Sequence, residues 1–175
     1  MIRLALTMWL SVATGAQAAP RPCLTTGEAE TLVTVALPDV MRQAAVRCGA
    51  KLSAASPLRR PQGELLRRYD AAADAAWPAA RAAIVKLSDP LAAGLLDSQY
   101  ARPLLGTMVG PLIAARLPLE ECGMLDRLVA LVAPLPPRNV AGLIVVAAER
   151  ARRVRPSPGT SNPAASLPLC AVETR

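Results

Sequence analysis

The side chains in this sequence whose types and spacing could do chemistry are four cysteines, three carboxylates and a run of arginines. Cys23, Cys48, Cys122 and Cys170 include no C-x-x-C pair, so their spacing encodes neither a thioredoxin-like redox centre nor a cysteine-rich zinc knuckle. Glu120, Glu121 and Asp126 could supply an acid and a base for glycoside hydrolysis if two carboxyls came within ~5–9 Å. They also fall in the first turns of an expected helix, where the helix dipole stabilises negative charge with no catalytic role. Arg150, Arg152, Arg153 and Arg155 form the densest basic cluster, and Arg59-Arg60 with Arg67-Arg68 forms a second. Guanidinium forks bind phosphate and carboxylate bidentately, so these arginines are candidates for contact with an anionic surface, either lipid head groups or charged envelope polymers. The alternative is structural: cations in a last helical turn are favoured by the dipole, and a solvated Arg face keeps an Ala-rich bundle in solution.

Composition narrows the chemistry further. The chain has no His, which removes Ser-His-Asp and Cys-His nucleophile pairs, His-bearing zinc sites and the usual general base near neutral pH. Gly-rich phosphate loops and metal-ligand clusters are missing, so no catalytic residue, metal or cofactor is expected. Nucleic-acid binding would need aromatic platforms, and the few aromatics beyond the N-terminal segment (Tyr69, Trp77, Tyr100) are not interleaved with arginines. Hydrophobic residues make up 53% and charged residues 19%, a balance that buries a core instead of leaving the chain disordered. Aromatics are only 2%, so that core must be Ala, Leu, Val and Ile, which favours closely approaching helices. The net charge is +7.

Residues 1–19 follow the order of a secretory signal: Arg3, an apolar stretch from Leu4 to Val12, then small residues ending Ala16-Gln17-Ala18. The apolar stretch is too short for a retained anchor, since crossing the hydrocarbon layer takes ~20 residues. We expect cleavage after Ala18 or Ala19 and a periplasmic or secreted product. Outside the cytosol an even cysteine count means disulfides, so two are expected.

The elements that must position these groups are helices. Thr25-x-x-Glu28 is a capping box, and Ala29, Leu32, Val33, Ala36 and Leu37 follow at helical spacing. The same face continues through Val40, Met41, Ala44, Ala45 and Cys48, interrupted by Pro38, which makes either a kink or a corner. A loop spans Gly49 to Gly63. A second helix carries Leu65, Leu66, Tyr69, Ala73, Ala76, Ala80, Ala83, Ile84 and Leu87, with a kink expected at Trp77-Pro78. A short helix over Leu91 to Leu96 precedes a third main helix with the stripe Leu104, Leu105, Met108, Val109, Leu112 and Ile113. Within that run Gly106-x-x-x-Gly110 is the spacing of a close helix crossing. Arg102 and Arg116 bound the run at ~20 Å of helix, too short for a membrane span. Leu125, Leu128, Val129 and Val132 mark a fourth helix. Val140, Leu143, Ile144, Ala147, Ala148 and Ala151 mark a fifth that starts near Pro137 and is expected antiparallel to the fourth.

The fold expected is all-α: one domain over residues 20–154, a bundle of about five helices with Pro kinks and two disulfides. A Pro/Ser-rich tail over 155–175 is tethered through Cys170. Four cysteines allow three connectivities. If Pro38 makes a corner, Cys23–Cys48 with Cys122–Cys170 closes the shorter loops and is preferred. If it makes only a kink, a straight helix holds Cys23 ~35 Å from Cys48, and Cys48–Cys122 with Cys23–Cys170 follows.

The segments Cys23-Leu-Thr-Thr-Gly-Glu-Ala-Glu, Ala36-Leu-Pro-Asp-Val with Cys48, and Ala133-Pro-Leu-Pro-Pro-Arg-Asn-Val-Ala-Gly-Leu-Ile together resemble a group of uncharacterised exported all-helical bacterial proteins with four cysteines. The resemblance implies export and a helical fold, and it assigns no activity, cofactor or site residue. The functional expectation is therefore a small non-enzymatic binding or interaction module of the cell envelope, holding an unknown protein or a small apolar ligand between Ala-faced helices. The mature chain has no expected transmembrane span and no nucleic-acid partner, and peripheral membrane contact remains open. The alternatives are an adaptor for anionic membranes or envelope polymers using the Arg clusters, and an envelope hydrolase using Glu121 and Asp126.

Overall fold

A computed structural model describes residues 22–88, 90–153 and 168–170. The expected signal segment, Arg155 and most of the C-terminal tail lie outside the described residues. The capping box forms as expected: the Thr25 hydroxyl accepts the Glu28 N–H at 3.2 Å, and the Glu28 carboxylate accepts the Thr25 N–H at 2.8 Å. With its free donors satisfied, helix α1 starts at Thr26 and runs to Cys48. Helix α2 spans Glu64–Leu87, α3 Pro90–Leu96, α4 Ala101–Ala114, α5 Cys122–Val132 and α6 Pro137–Arg153. Proline serves as the first residue of α6, where its missing N–H costs nothing. The fold is thus all-α, with the five main helices and the short α3 read from periodicity.

α1 is the central element, and α2, α4 and α6 all pack along it. Two apolar clusters fill the interior. One, at the C-terminal end of α1, contains Met41, Cys48, Leu52, Leu58, Leu66, Tyr69, Cys122 and Val129. The other, at its N-terminal end, contains Leu24, Ala29, Ala83, Val145 and Leu169. Beside the first, Arg42 bridges Asp70 of α2 at 2.5 Å and Asp39 of its own helix at 3.3 Å. Helices α5 and α6 share only marginal contact, so the expected antiparallel pairing of these two is not their main packing; α6 lies on α1, while α5 packs against short 3₁₀ turns at Pro57–Arg59 and Leu119–Glu121.

The disulfides require a correction. The preferred pairing of Cys23 with Cys48 and Cys122 with Cys170 does not form. The bonds are Cys23–Cys170 and Cys48–Cys122, with Cα separations of 4.9 and 5.5 Å. The reason is Pro38, which is fully buried inside a continuous α1 and makes no corner. Cys23 and Cys48 therefore stay at opposite ends of a 23-residue helix. Each bond closes one apolar cluster. Cys48 and Cys122 are wholly buried in the first. Cys23 and Cys170 flank the second, where Leu24 donates to the Pro168 carbonyl at 2.7 Å and Cys170 donates to the Leu24 carbonyl at 2.8 Å. Next to the Cys23–Cys170 bond, Leu169 enters the core.

Candidate functional site

The site begins with the way α4 meets α1. Gly106, Gly110 and Ala114 recur at four-residue spacing on one side of α4 and face α1. Gly110 lies so close that a Cβ built on it would sit 3.2 Å from the Asp39 carbonyl oxygen and 3.0 Å from Gln43 Cγ; one on Gly106 would overlap the Asp39 carboxylate. Glycine at 110 lets the two backbones approach, and glycine at 106 leaves room for the Asp39 carboxylate. The far end of α4 is fastened by Arg47, whose Nε donates to the Leu117 carbonyl at 2.7 Å. Arg102, at the near end, pairs with Asp74 of α2.

This packing turns the stripe read from the sequence outward. Leu104, Met108 and Leu112 lie opposite the glycine side and are 60%, 65% and 66% exposed. Val109, Ile113, Tyr100 and, on α3, Leu95 are also exposed. The glycine spacing works as a close crossing in a globular bundle, as expected. Of the stripe only Leu105 is half-buried; the other large side chains stay outside, because the narrow gap opened by glycine has no room for them. Among the described residues no helix is long and apolar enough to cross a membrane. Exposed apolar side chains also occur on α5 (Met124, Leu128, Leu131) and α6 (Leu143, Ile144, Val146), but among the described residues α4 carries the most, with Leu104, Met108, Val109, Leu112 and Ile113.

The arginines named from the sequence divide into two sets. Arg150, Arg152 and Arg153 are exposed in the last turn of α6, where the dipole favours them, and Arg152 approaches the Leu169 carbonyl at 3.5 Å. Arg155 lies outside the described residues. The second cluster is largely engaged within the fold: Arg67 pairs with Glu64 at 2.5 Å, Arg68 donates to the Ala133 carbonyl, and Arg59 donates to the Gly49 carbonyl at 3.3 Å.

The carboxylates named from the sequence lie on different elements, Glu120 and Glu121 before α5 and Asp126 within it. Glu120 and Glu121 are exposed on a 3₁₀ turn. Asp126 is half-buried and fastens the loop after α1, accepting the Ser53 N–H at 3.0 Å. The Ser56 hydroxyl and then this N–H hold its carboxyl below the ordinary aspartate range. Two depressions are open to solvent and lie on single helices, one over Met124, Arg127 and Leu128 and one over Trp77, Pro78 and Arg81. Neither is an enclosed cavity between Ala-faced helices of the kind expected for a small apolar ligand. Compared with known proteins, this chain matches no family model, no curated protein and no solved structure.

Proposed function

We propose that this chain is a non-enzymatic interaction module of an exported, oxidising compartment, and that it docks through the outward face of α4. The observation that carries this reading is the exposure of Leu104, Met108 and Leu112 on a helix whose opposite, glycine side is locked to α1. Contiguous exposed apolar side chains are costly in water and mark interaction surfaces, whereas scattered ones do not. A helix held rigidly by close backbone contact offers that face with little ordering cost on binding. Engagement of Asp126 with the Ser53–Ser56 loop supports a non-enzymatic role. Two disulfides agree with the export expected from residues 1–19, because such bonds persist in oxidising compartments.

The test is a photo-cross-linking residue at position 108, introduced in cells that produce the chain. We expect adducts whose yield drops when Leu112→Glu is added, with no comparable adduct from position 82 on α2. Equal yields from both positions, or none from 108, would overturn the docking role of α4.

A further inference from the structure

We infer that the occupant of the α4 face is the surface of an anionic lipid bilayer; this rests on the docking role just proposed and names its partner. Three features of the molecule converge on it.

The first is charge. From Ser98 to Leu119 the chain contains no Asp or Glu, while Arg102 and Arg116 stand at the two ends of the apolar stripe. Arg102 is engaged by Asp74, and Arg116 is exposed. An apolar helix face with no carboxylate on its own helix and an exposed cation, Arg116, at one end matches a helix lying in the plane of a membrane interface. Without Arg3 of the expected signal segment the net charge is +6, which adds long-range attraction to anionic head groups.

The second is the aromatic position. Tyr100 is exposed at the start of α4, next to Leu104, and tyrosine is favoured where an apolar ring meets a wet boundary.

The third is area. Half the surface of a 14-residue helix, about 21 Å long and about 10 Å across, is about 330 Å². A stable protein interface needs about 800 Å² from each partner. The face is too small to hold a second copy of the chain by itself. A bilayer needs no complementary shape and accepts the whole face by partial immersion.

The experiment uses the oxidised chain and vesicles of phosphatidylglycerol and phosphatidylcholine in equal parts. We expect co-sedimentation with these vesicles that weakens as salt rises, and none with pure phosphatidylcholine. Met108→Glu with Leu112→Glu should weaken binding at least about tenfold, and Arg116→Gln about fivefold, with the circular dichroism spectrum and melting temperature unchanged. Absence of vesicle binding overturns the lipid assignment. So does undiminished binding by the double variant, and a variant lacking Arg150, Arg152 and Arg153 then tests the end of α6 as the contact. Self-association in sedimentation velocity that Leu112→Glu abolishes also overturns it, although α4 remains the docking face. The docking role itself falls only if position 108 gives no cross-link or no more than position 82.

Discussion

Gly110 of α4 rests on the backbone of Asp39 in α1, where a Cβ would meet the Asp39 carbonyl oxygen at 3.2 Å, tighter than an ordinary contact. The two helices approach this closely only because one of them lacks a side chain at the crossing. This contact decides which side of α4 is buried and therefore which side is offered to a partner.

Gly110→Leu should accordingly force α4 off α1, and overpacking of this kind costs about 1–3 kcal/mol. Gly123 provides the control, since a Cβ there would meet nothing within 4 Å. Gly123→Ala in α5 should stabilise the fold by about 0.5–1 kcal/mol through helix propensity alone. Urea unfolding of the two variants is expected to move the midpoint in opposite directions.

The outward orientation of the α4 stripe makes a second prediction. Leu104→Gln and Leu112→Gln should each change stability by no more than about 0.5 kcal/mol, as surface substitutions do. Leu66→Ala in α2, fully buried, should cost about 2–5 kcal/mol. Thermal scans of the three variants would check it, and a large loss at Leu112 would place the stripe in the core.

Removing either disulfide should cost about 2–5 kcal/mol. The bonds span 147 and 74 residues, a difference that matters little because the entropic term grows only logarithmically. Cys48 and Cys122 are wholly buried, so Cys48→Ala with Cys122→Ala also leaves a void and should cost more than Cys23→Ala with Cys170→Ala. Peptide mapping without reductant should recover Cys23 joined to Cys170 and Cys48 joined to Cys122.

Acid should weaken the fold through two identified carboxylates. Glu28 is held below its ordinary pKa by the Thr25 N–H and then by Lys86, whose Nζ lies 2.9 Å away; Asp126 is held down by the Ser56 hydroxyl and the Ser53 N–H. A depressed carboxyl contributes stability that is fully present above its unfolded pKa, about 4, and is lost as pH falls through the lower folded value. The melting temperature should therefore be level above about pH 5 and fall below it. Glu28→Gln and Asp126→Asn should each flatten that fall, as melting curves recorded across the acid range would show.

Most of the secondary structure was legible in the sequence because its signals are local. Thr25 and Glu28 announce the start of α1, Pro137 the start of α6, and Gly106 with Gly110 a close crossing; each depends on groups a few residues apart. Export was read from a segment outside the described residues, and function from no motif at all.

Tertiary structure decided the rest. Pro38 removes the same donor whether the chain kinks or turns a corner, and only packing on α1 keeps that helix continuous and assigns Cys48 to Cys122. Periodicity shows that Leu104, Met108 and Leu112 share a side of α4, but it is silent on whether that side is buried. That choice belongs to the neighbouring helix: α1 takes the glycine side because backbones can meet there, and the large apolar side is left to the solvent.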